Sequence, residues 1–459
     1  MTQPYPALSV LPEDYGLLTD LYQLTMAACY VGEGLDQRWA SFELFTRRLP
    51  DDYGYLVAMG LSQAVDYLSN LGFSQAHLVA LRQTGLFDQA PQDFWQLLET
   101  GTFTGQVWAV PEGTVVFAGE PLLRVEAPLW QAQIAETYLL NVINYQTLIA
   151  TRAARLRDVA GPEATLLEFG TRRAFSPQGA MWAARAALAA GLDATSNVLA
   201  ALQLGRQPAG TMAHALVMAF TALEGSEDDA FNAFQRYFPG AALLIDTYDT
   251  VAAAERLAEQ VRQGQTQVAA VRLDSGDLLE LSKAVRSHLP EATIFASGDL
   301  DEYAIARFRR AGAPINGYGL GTKLVTGEPV NGVYKLVEIE GIPVMKESNS
   351  KTTFPGRKQI FRRFSGSQAV ADRLGLMAET PAPDEQPLLQ LVMNAGQLVQ
   401  EPESLAEISA RTARSVACLP PSVRQLEQPV PFSVEISDAL QALTARTSRR
   451  RVPQLSPSA

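Results

Sequence analysis

Residues 268–300 read VAAVRLDSGDLLELSKAVRSHLPEATIFASGDL, and they carry one pattern twice. An apolar run, Val268 to Leu273 and then Thr293 to Ala296, ends each time in Ser-Gly-Asp-Leu. Between the two copies Leu278, Leu281, Val285 and Leu289 fall at helical spacing, and Ser275 and Ser297 stand where helix caps are expected. A strand, a polar loop, a helix and a strand again is the building unit of a parallel sheet joined by right-handed crossovers.

The unit recurs outward from there. Apolar strands are expected at 165–167, 242–245 and around 315, each ending in a polar loop. No GxGxxG follows a first strand, which disfavours an open dinucleotide-binding sheet, and the repeat is expected to close as an α/β barrel. A barrel sets every loop that follows a strand on one rim, where barrel enzymes carry their chemistry. Glu168 and Arg172, His214, Asp246 and Asp249, Arg272 and Asp274, Ser297 and Asp299, and the run GYGLGTK at 317–323 all take that position. His214 is read as lying just past a short strand, at the start of the apolar helical run 215–223, which makes it a candidate nucleophile or general base.

The flanks read differently. Asp20 or Thr19 is expected to cap a helix with Leu21, Leu24 and Ala28 on its apolar face, leaving Tyr22 off that face as a surface aromatic or a stacking platform. Residues 40–45 alternate as a half-buried strand, followed by the basic pair Arg47 and Arg48. Residues 55–100 read as short amphipathic helices, 105–128 as three short strands of a small antiparallel sheet, and 131–156 as one long helix. A hairpin is expected around Glu340-Gly341, and SRRRVPQLSPSA at 448–459 as a mobile tail. The expected domains are 1–137, 138–348 and 349–459, the last an extension packing on the first.

A formal net charge of −12 argues against broad nucleic-acid binding or adhesion to an acidic membrane, so an anionic substrate must be met by local arginines and backbone amides. Two cysteines cannot build a disulfide framework, and no basic and apolar leader opens the sequence, so a cytoplasmic protein is expected. On the rim, Arg172 and Arg272 suit a bidentate hold on phosphate or carboxylate. The amides of Gly319 and Gly321 suit phosphate oxygens. Asp274 suits ribose hydroxyls, and aspartates near phosphates suit magnesium. Each element alone has an ordinary reading, Ser-Gly-Asp as a plain cap and a histidine among Ala, Val and Met as a satisfied core residue. Their shared placement on one rim is what points to a sugar-phosphate enzyme.

Ten runs, in order along the chain, carry a family resemblance: YGLLTDLYQLTM (15–26), FELFTRRLP (42–50), LEFGTRRA (167–174), GLDATSNV (191–198), GTMAH (210–214), LIDTYDT (244–250), RLDSGDL (272–278), SGDLDE (297–302), YGLGTKLVTG (318–327) and PGRKQIFR (355–362). Together they resemble the nicotinate phosphoribosyltransferase family. The resemblance implies a type II phosphoribosyltransferase: an irregular α/β barrel with an open-faced α/β sandwich domain built from the N-terminal and C-terminal parts, in a homodimer whose active sites are shared across the interface.

It also implies residue roles. His214 matches the histidine that ATP phosphorylates, Asp246 the carboxylate that orients it, and Arg272, Asp274 and Ser275 the phosphoribosyl-binding loop. Gly298, Asp299, Gly319 and Gly321 would cradle the 5-phosphate, and Arg172 would approach the pyridine carboxylate or the phosphoribosyl group. Tyr22 of the partner subunit, with Asp20 nearby, would stack on nicotinate opposite Phe169. Nicotinate, 5-phosphoribosyl 1-pyrophosphate, ATP and Mg2+ are the implied ligands. The rivals are a nicotinamide-specific relative, a quinolinate enzyme, against which GTMAH speaks, and a catalytically idle metabolite-binding homologue.

Overall fold

The computed structural model describes residues 8–348 and 351–449, and the chain packs as two units. The first takes the residues up to Thr147, Pro329–Ser404 and those from Ala417 on; the second takes Leu148–Glu328 and Leu405–Val416. Among the described residues no helix is long and apolar enough to cross a membrane.

The first unit is built on a seven-stranded sheet, antiparallel at every junction. Its order is Ile342–Pro343, Gly332–Ile339, Trp39–Thr46, Pro121–Pro128, Gln106–Ala109, Gln390–Asn394 and Gln397–Leu398. The 332–343 hairpin turns at Glu340 and Gly341, whose φ values of 50° and 72° are those of the tight turns that match strand twist. Three expectations need correcting. The 39–46 strand is buried along nearly its whole length rather than half-buried, because the apparent polar face is neutralised from afar. Glu43 accepts the Lys358 N–H at 2.8 Å and lies 2.7 Å from that residue's ammonium, with Arg124 at 3.8 Å. Val115–Val116 leaves the main sheet and pairs with Leu56–Val57. The long helical run is broken at Ala135 into Leu129–Ile134 and Glu136–Ala160. The helix Asp438–Arg449 takes in the first two residues of the expected tail, and the rest of it lies outside the described residues.

A second, four-stranded sheet in this unit orders Glu385–Pro387, Lys358–Ser365, Gln368–Leu376 and Val434–Ile436. Arg362 and Asp372 form a bidentate pair there at 2.9 and 2.6 Å, fully buried, with Glu120 beside them. Burial, reinforced by the Asp372 charge, holds the Glu120 carboxyl well above its usual range. Its Oε2 accepts the Phe117 N–H at 2.7 Å while Oε1 meets no donor, as suits a carboxyl keeping its own proton. A raised folded pKa means that the stability this group contributes is complete below the unfolded value and is lost as pH rises through the folded one. Glu120→Gln, which mimics the protonated form, is therefore expected to match the native chain below about pH 4 and to exceed it by about 1–2 kcal/mol at pH 8. Thermal midpoints of both proteins across that range check this; a constant difference would show that Glu120 does not titrate on unfolding.

The second unit holds a six-stranded sheet, parallel throughout, in the order Ala194–Thr195, Thr165–Glu168, Gly317–Leu320, Thr293–Ala296, Ala270–Leu273, Leu243–Leu244. The last strand in sequence pairs with the first, which is the neighbour relation of a barrel and not of an open doubly wound sheet. The ladder is interrupted between 194–195 and 243–244, the two shortest strands. That seam is spanned by residues 196–242, which contain Gly205, Pro208 and Gly210, residues that suit loops better than a central strand. Contrary to expectation, no strand precedes His214; residues 204–213 are irregular, and His214 itself opens the helix His214–Glu224.

Candidate active site

The chemistry-bearing side chains of the second unit gather where its strands end. Arg272, third residue of the 270–273 strand, is the hub. Its Nε donates to Ser297 Oγ at 2.7 Å, one terminal nitrogen to Asp274 Oδ1 at 2.6 Å, and the other to Thr211 Oγ1 and the Met212 carbonyl at 3.3 Å each. One planar guanidinium thereby ties two neighbouring strand ends to the irregular segment that leads into His214. Ser297 Oγ in turn donates to Asp274 Oδ1 at 2.5 Å. Burial alone would raise the Asp274 pKa, but the Ser297 and Arg272 hydrogen bonds and the charges of Arg272 and His214 outweigh it, holding the carboxyl below its usual value.

Asp246, just past the 243–244 strand, has a nearly inaccessible carboxylate. Its Oδ2 accepts the Asp274 N–H at 2.9 Å and the Ser275 hydroxyl at 2.6 Å. Its Oδ1 is buried without a hydrogen-bond partner and lies 3.9 Å from His214 Nε2. The other imidazole nitrogen, Nδ1, is 3.1 Å from Thr247 Oγ1. A half-exposed imidazole thus stands between a bare carboxylate oxygen and a hydroxyl, at the first residue of a helix whose N-cap, Ala213, offers no capping side chain. The uncapped amides and the positive end of the helix dipole favour negative charge there.

Ser275 and Ser297 do not cap the helices that follow them. Asp277 caps Leu278–His288 and Asp301 caps Glu302–Arg310, because the two serine hydroxyls are taken by Asp246 and Asp274. Asp249 also proves to be a cap, for Thr250–Arg262. Glu168 is buried rather than open to the rim: it accepts the Gly170 N–H and the Thr195 hydroxyl. Burial pushes its carboxyl up, with those two donors pulling the other way.

Phe169 follows, its ring 5.5 Å from the Arg272 guanidinium and lying across Gly319, where a Cβ would come within 2.5 Å of the ring. Gly319→Ala is expected to push the ring aside and to cost about 1–3 kcal/mol, seen as a lower thermal midpoint; an unshifted midpoint would mean that the ring yields freely. Gly298, at φ 95°, passes so close to the Asp274 carbonyl that no side chain fits. Asp299 is exposed at φ 47°, and Gly321 precedes the short helix Thr322–Val325. Arg172 is exposed, and its side chain makes no hydrogen bond or ion pair among the described residues.

The structure therefore brings together His214, Asp246, Arg272, Asp274, Ser275, Phe169 and Gly319, and leaves Arg172 outside their hydrogen-bonded network. Asp20 and Tyr22 belong to the first unit. Asp20 precedes the helix Leu21–Gly32 and accepts the Thr137 hydroxyl at 2.8 Å, without capping the helix by its side chain. That helix buries Gln23, Leu24 and Ala27, so its inner face is turned from the one expected, and Tyr22 is 46% exposed. Ser297 was expected on the rim, though as a helix cap; Thr195, Thr211 and Thr247 were not expected in the network. Their only signal is a hydroxyl in a polar turn near a strand end.

Comparison with known proteins gives the family. Residues 17–144 match the nicotinate phosphoribosyltransferase (NAPRTase) N-terminal domain, 164–309 the nicotinate phosphoribosyltransferase (NAPRTase) family and 381–444 the nicotinate phosphoribosyltransferase C-terminal domain. A nicotinate phosphoribosyltransferase of Mycobacterium tuberculosis (strain CDC 1551 / Oshkosh) is 40% identical over 442 residues, 94% of this chain and 93% of that one. The chain belongs to the nicotinate phosphoribosyltransferase family. A Bacillus subtilis (strain 168) member is 43% identical over 371 residues, 76% of this chain and 73% of its own length. The crystal structure of human nicotinic acid phosphoribosyltransferase superposes with a TM-score of 0.80 at 31% identity, covering 93% of this chain and 99% of that one. The fold class is thus the type II phosphoribosyltransferase of that family, with its α/β barrel interrupted at the 196–242 seam.

Proposed function

We propose that this chain transfers the phosphoribosyl group of 5-phosphoribosyl 1-pyrophosphate to the ring nitrogen of nicotinate, and couples the transfer to ATP hydrolysis through His214. The product, nicotinate mononucleotide, would enter NAD biosynthesis. The observation that carries the reading is the bare Asp246 Oδ1 facing His214 Nε2. An N–H held there leaves the Nδ1 lone pair, beside Thr247, to attack the γ-phosphorus of ATP. The P–N bond forms as the bond to ADP breaks, and water later returns the imidazole with release of phosphate. The dianion formed meanwhile would sit at the uncapped start of the 214–224 helix.

In the transfer itself the pyridine nitrogen displaces pyrophosphate at the anomeric carbon through an oxocarbenium-like state. Asp274, ionised by its partners, would face the ribose, and Arg272 would take up charge on the phosphates. Among the described residues no three His, Cys, Asp or Glu side chains converge on a metal position. Asp274 would offer an oxygen ligand to Mg2+ held on the substrates' phosphates, and the ion would supply charge neutralisation of the pyrophosphate leaving group. The nicotinate ring would lie against Phe169, with Tyr22 of the partner subunit opposite and Asp20 of the partner subunit nearby, in a cytoplasmic homodimer.

The test is release of pyrophosphate and ADP from purified protein given 5-phosphoribosyl 1-pyrophosphate, Mg-ATP and either nicotinate or nicotinamide. Nicotinate-dependent release of both is expected. Turnover with nicotinamide alone would move the assignment to that base, and silence with both would leave a metabolite-binding homologue.

A further inference from the structure

Glu168 is 1% exposed, and the groups that act on its carboxyl are the Thr195 hydroxyl and the Gly170 N–H, with no cation among them. An ionisable group so buried, with two neutral donors as its support, is disfavoured unless its hydrogen bonds accomplish something an apolar residue would not. Those bonds bracket one side chain. Oε1 accepts the N–H of Gly170, the residue after Phe169, and Oε2 accepts the hydroxyl of Thr195 on the adjacent strand.

Thr195 Oγ1 also accepts the Asn197 N–H at 2.9 Å, and Asn197 caps Val198–Gln203 through the Ala200 N–H at 3.1 Å. The main chain at Phe169 is pinned as well: its N–H donates to the Leu320 carbonyl at 2.7 Å, and the Ser196 N–H donates to the Glu168 carbonyl at 2.9 Å. Gly170 has no room for a side chain between Val325 and the Glu168 carboxylate. The bonds at Glu168, Phe169 and Gly170 fix the turn on which the Phe169 ring rides, beside Arg272 and across Gly319, and Thr195 ties that turn to the capped start of the 198–203 helix.

We propose that Glu168 and Thr195 are positioning residues that set the plane of the Phe169 ring, and through it the fit of a flat aromatic substrate. The substrate part rests on the reading that nicotinate stacks on Phe169; the ring-positioning part does not. Glu168 touches no reacting atom in this scheme, so its loss acts on recognition of the base. Glu168→Ala removes both anchors, Thr195→Val removes one hydroxyl at almost constant volume, and Glu168→Gln keeps an acceptor for Gly170 and offers a donor to Thr195.

Two readouts separate this from a merely structural role. With 4-fluorophenylalanine placed at position 169 alone, the fluorine resonance is expected to shift or broaden in E168A and T195V and to stay close to native in E168Q. In steady-state kinetics the KM for nicotinate is expected to rise about tenfold in E168A and a few-fold in T195V, with the KM for 5-phosphoribosyl 1-pyrophosphate within twofold of native. In an F169A background E168A should then add nothing further. Unchanged fluorine spectra in both E168A and T195V, or E168A and F169A effects that simply multiply, would overturn the proposal. If the native enzyme ignores nicotinate, the fluorine spectra still decide the ring-positioning part; T195V serves where E168A fails to fold.

Discussion

His214→Ala is expected to abolish nicotinate-dependent ATP hydrolysis, by at least a thousandfold, while phosphoribosyl transfer persists at a few per cent of the native rate. The asymmetry follows from what the imidazole touches. It lies between Asp246 Oδ1 and Thr247 Oγ1, whereas the groups suited to phosphate and ribose, Arg272 and Asp274, are held by Ser297, Thr211 and the Met212 carbonyl and keep those bonds without it. Removing the phosphoryl acceptor should therefore uncouple the enzyme rather than silence it. ADP and pyrophosphate measured in the same samples check this, together with an acid-labile phosphate on the native protein that the variant lacks. Equal loss of both products would mean that His214 serves the transfer directly.

Arg272→Ala is expected to do the reverse damage, lowering kcat/KM for 5-phosphoribosyl 1-pyrophosphate on the order of a thousandfold. Four hydrogen bonds vanish at once, Asp274 loses its cation, and the 211–212 segment loses its tie to the strand ends. A fall in stability of about 2 kcal/mol should accompany this, since Asp274 is left half-buried without its charge partner. The pH dependence gives a sharper check. Asp274 has a depressed folded pKa, so its contribution is present above the unfolded value and lost as pH falls through the folded one. Without Arg272 the Asp274 carboxyl should protonate at higher pH, moving the acid limb of the kcat/KM profile toward neutrality. Arg272→Lys restores charge but not the planar fork, and is expected to recover stability before it recovers activity. An acid limb that stays in place in R272A would remove Asp274 from the chemistry.

The parallel repeat was legible because it is written in local sequence: each apolar strand, polar turn and helical stretch lies within about thirty residues, and the Ser-Gly-Asp copies announce themselves. What escaped was set by tertiary partners. The 39–46 strand alternates like a surface strand, yet Glu43 is buried because Lys358, far along the chain, is buried with it. Ser275 and Ser297 look like caps until the claims of Asp246 and Asp274 on their hydroxyls are known. The two-residue strand Ala194–Thr195 is too short to leave a period, and the missing strand before His214 looks like a strand because Met212 and the residues after His214 are apolar. Of the site, charged residues were found by type and position, whereas Thr195, Thr211 and Thr247, neutral and common, were not.

The discontinuity of the first unit bears on how the protein comes off the ribosome. The 39–46 strand has one partner at 121–128 and the other at 332–339, and the second is made only after the whole of 148–328. The nascent antiparallel sheet must wait with an open hydrogen-bonding edge while the parallel sheet, contiguous in sequence, is synthesised and can form first. Such an edge invites pairing with other chains. Conditions that slow translation between the two partners should lengthen that exposure, so yield of soluble protein should depend on elongation rate and on chaperones more than native stability alone would suggest.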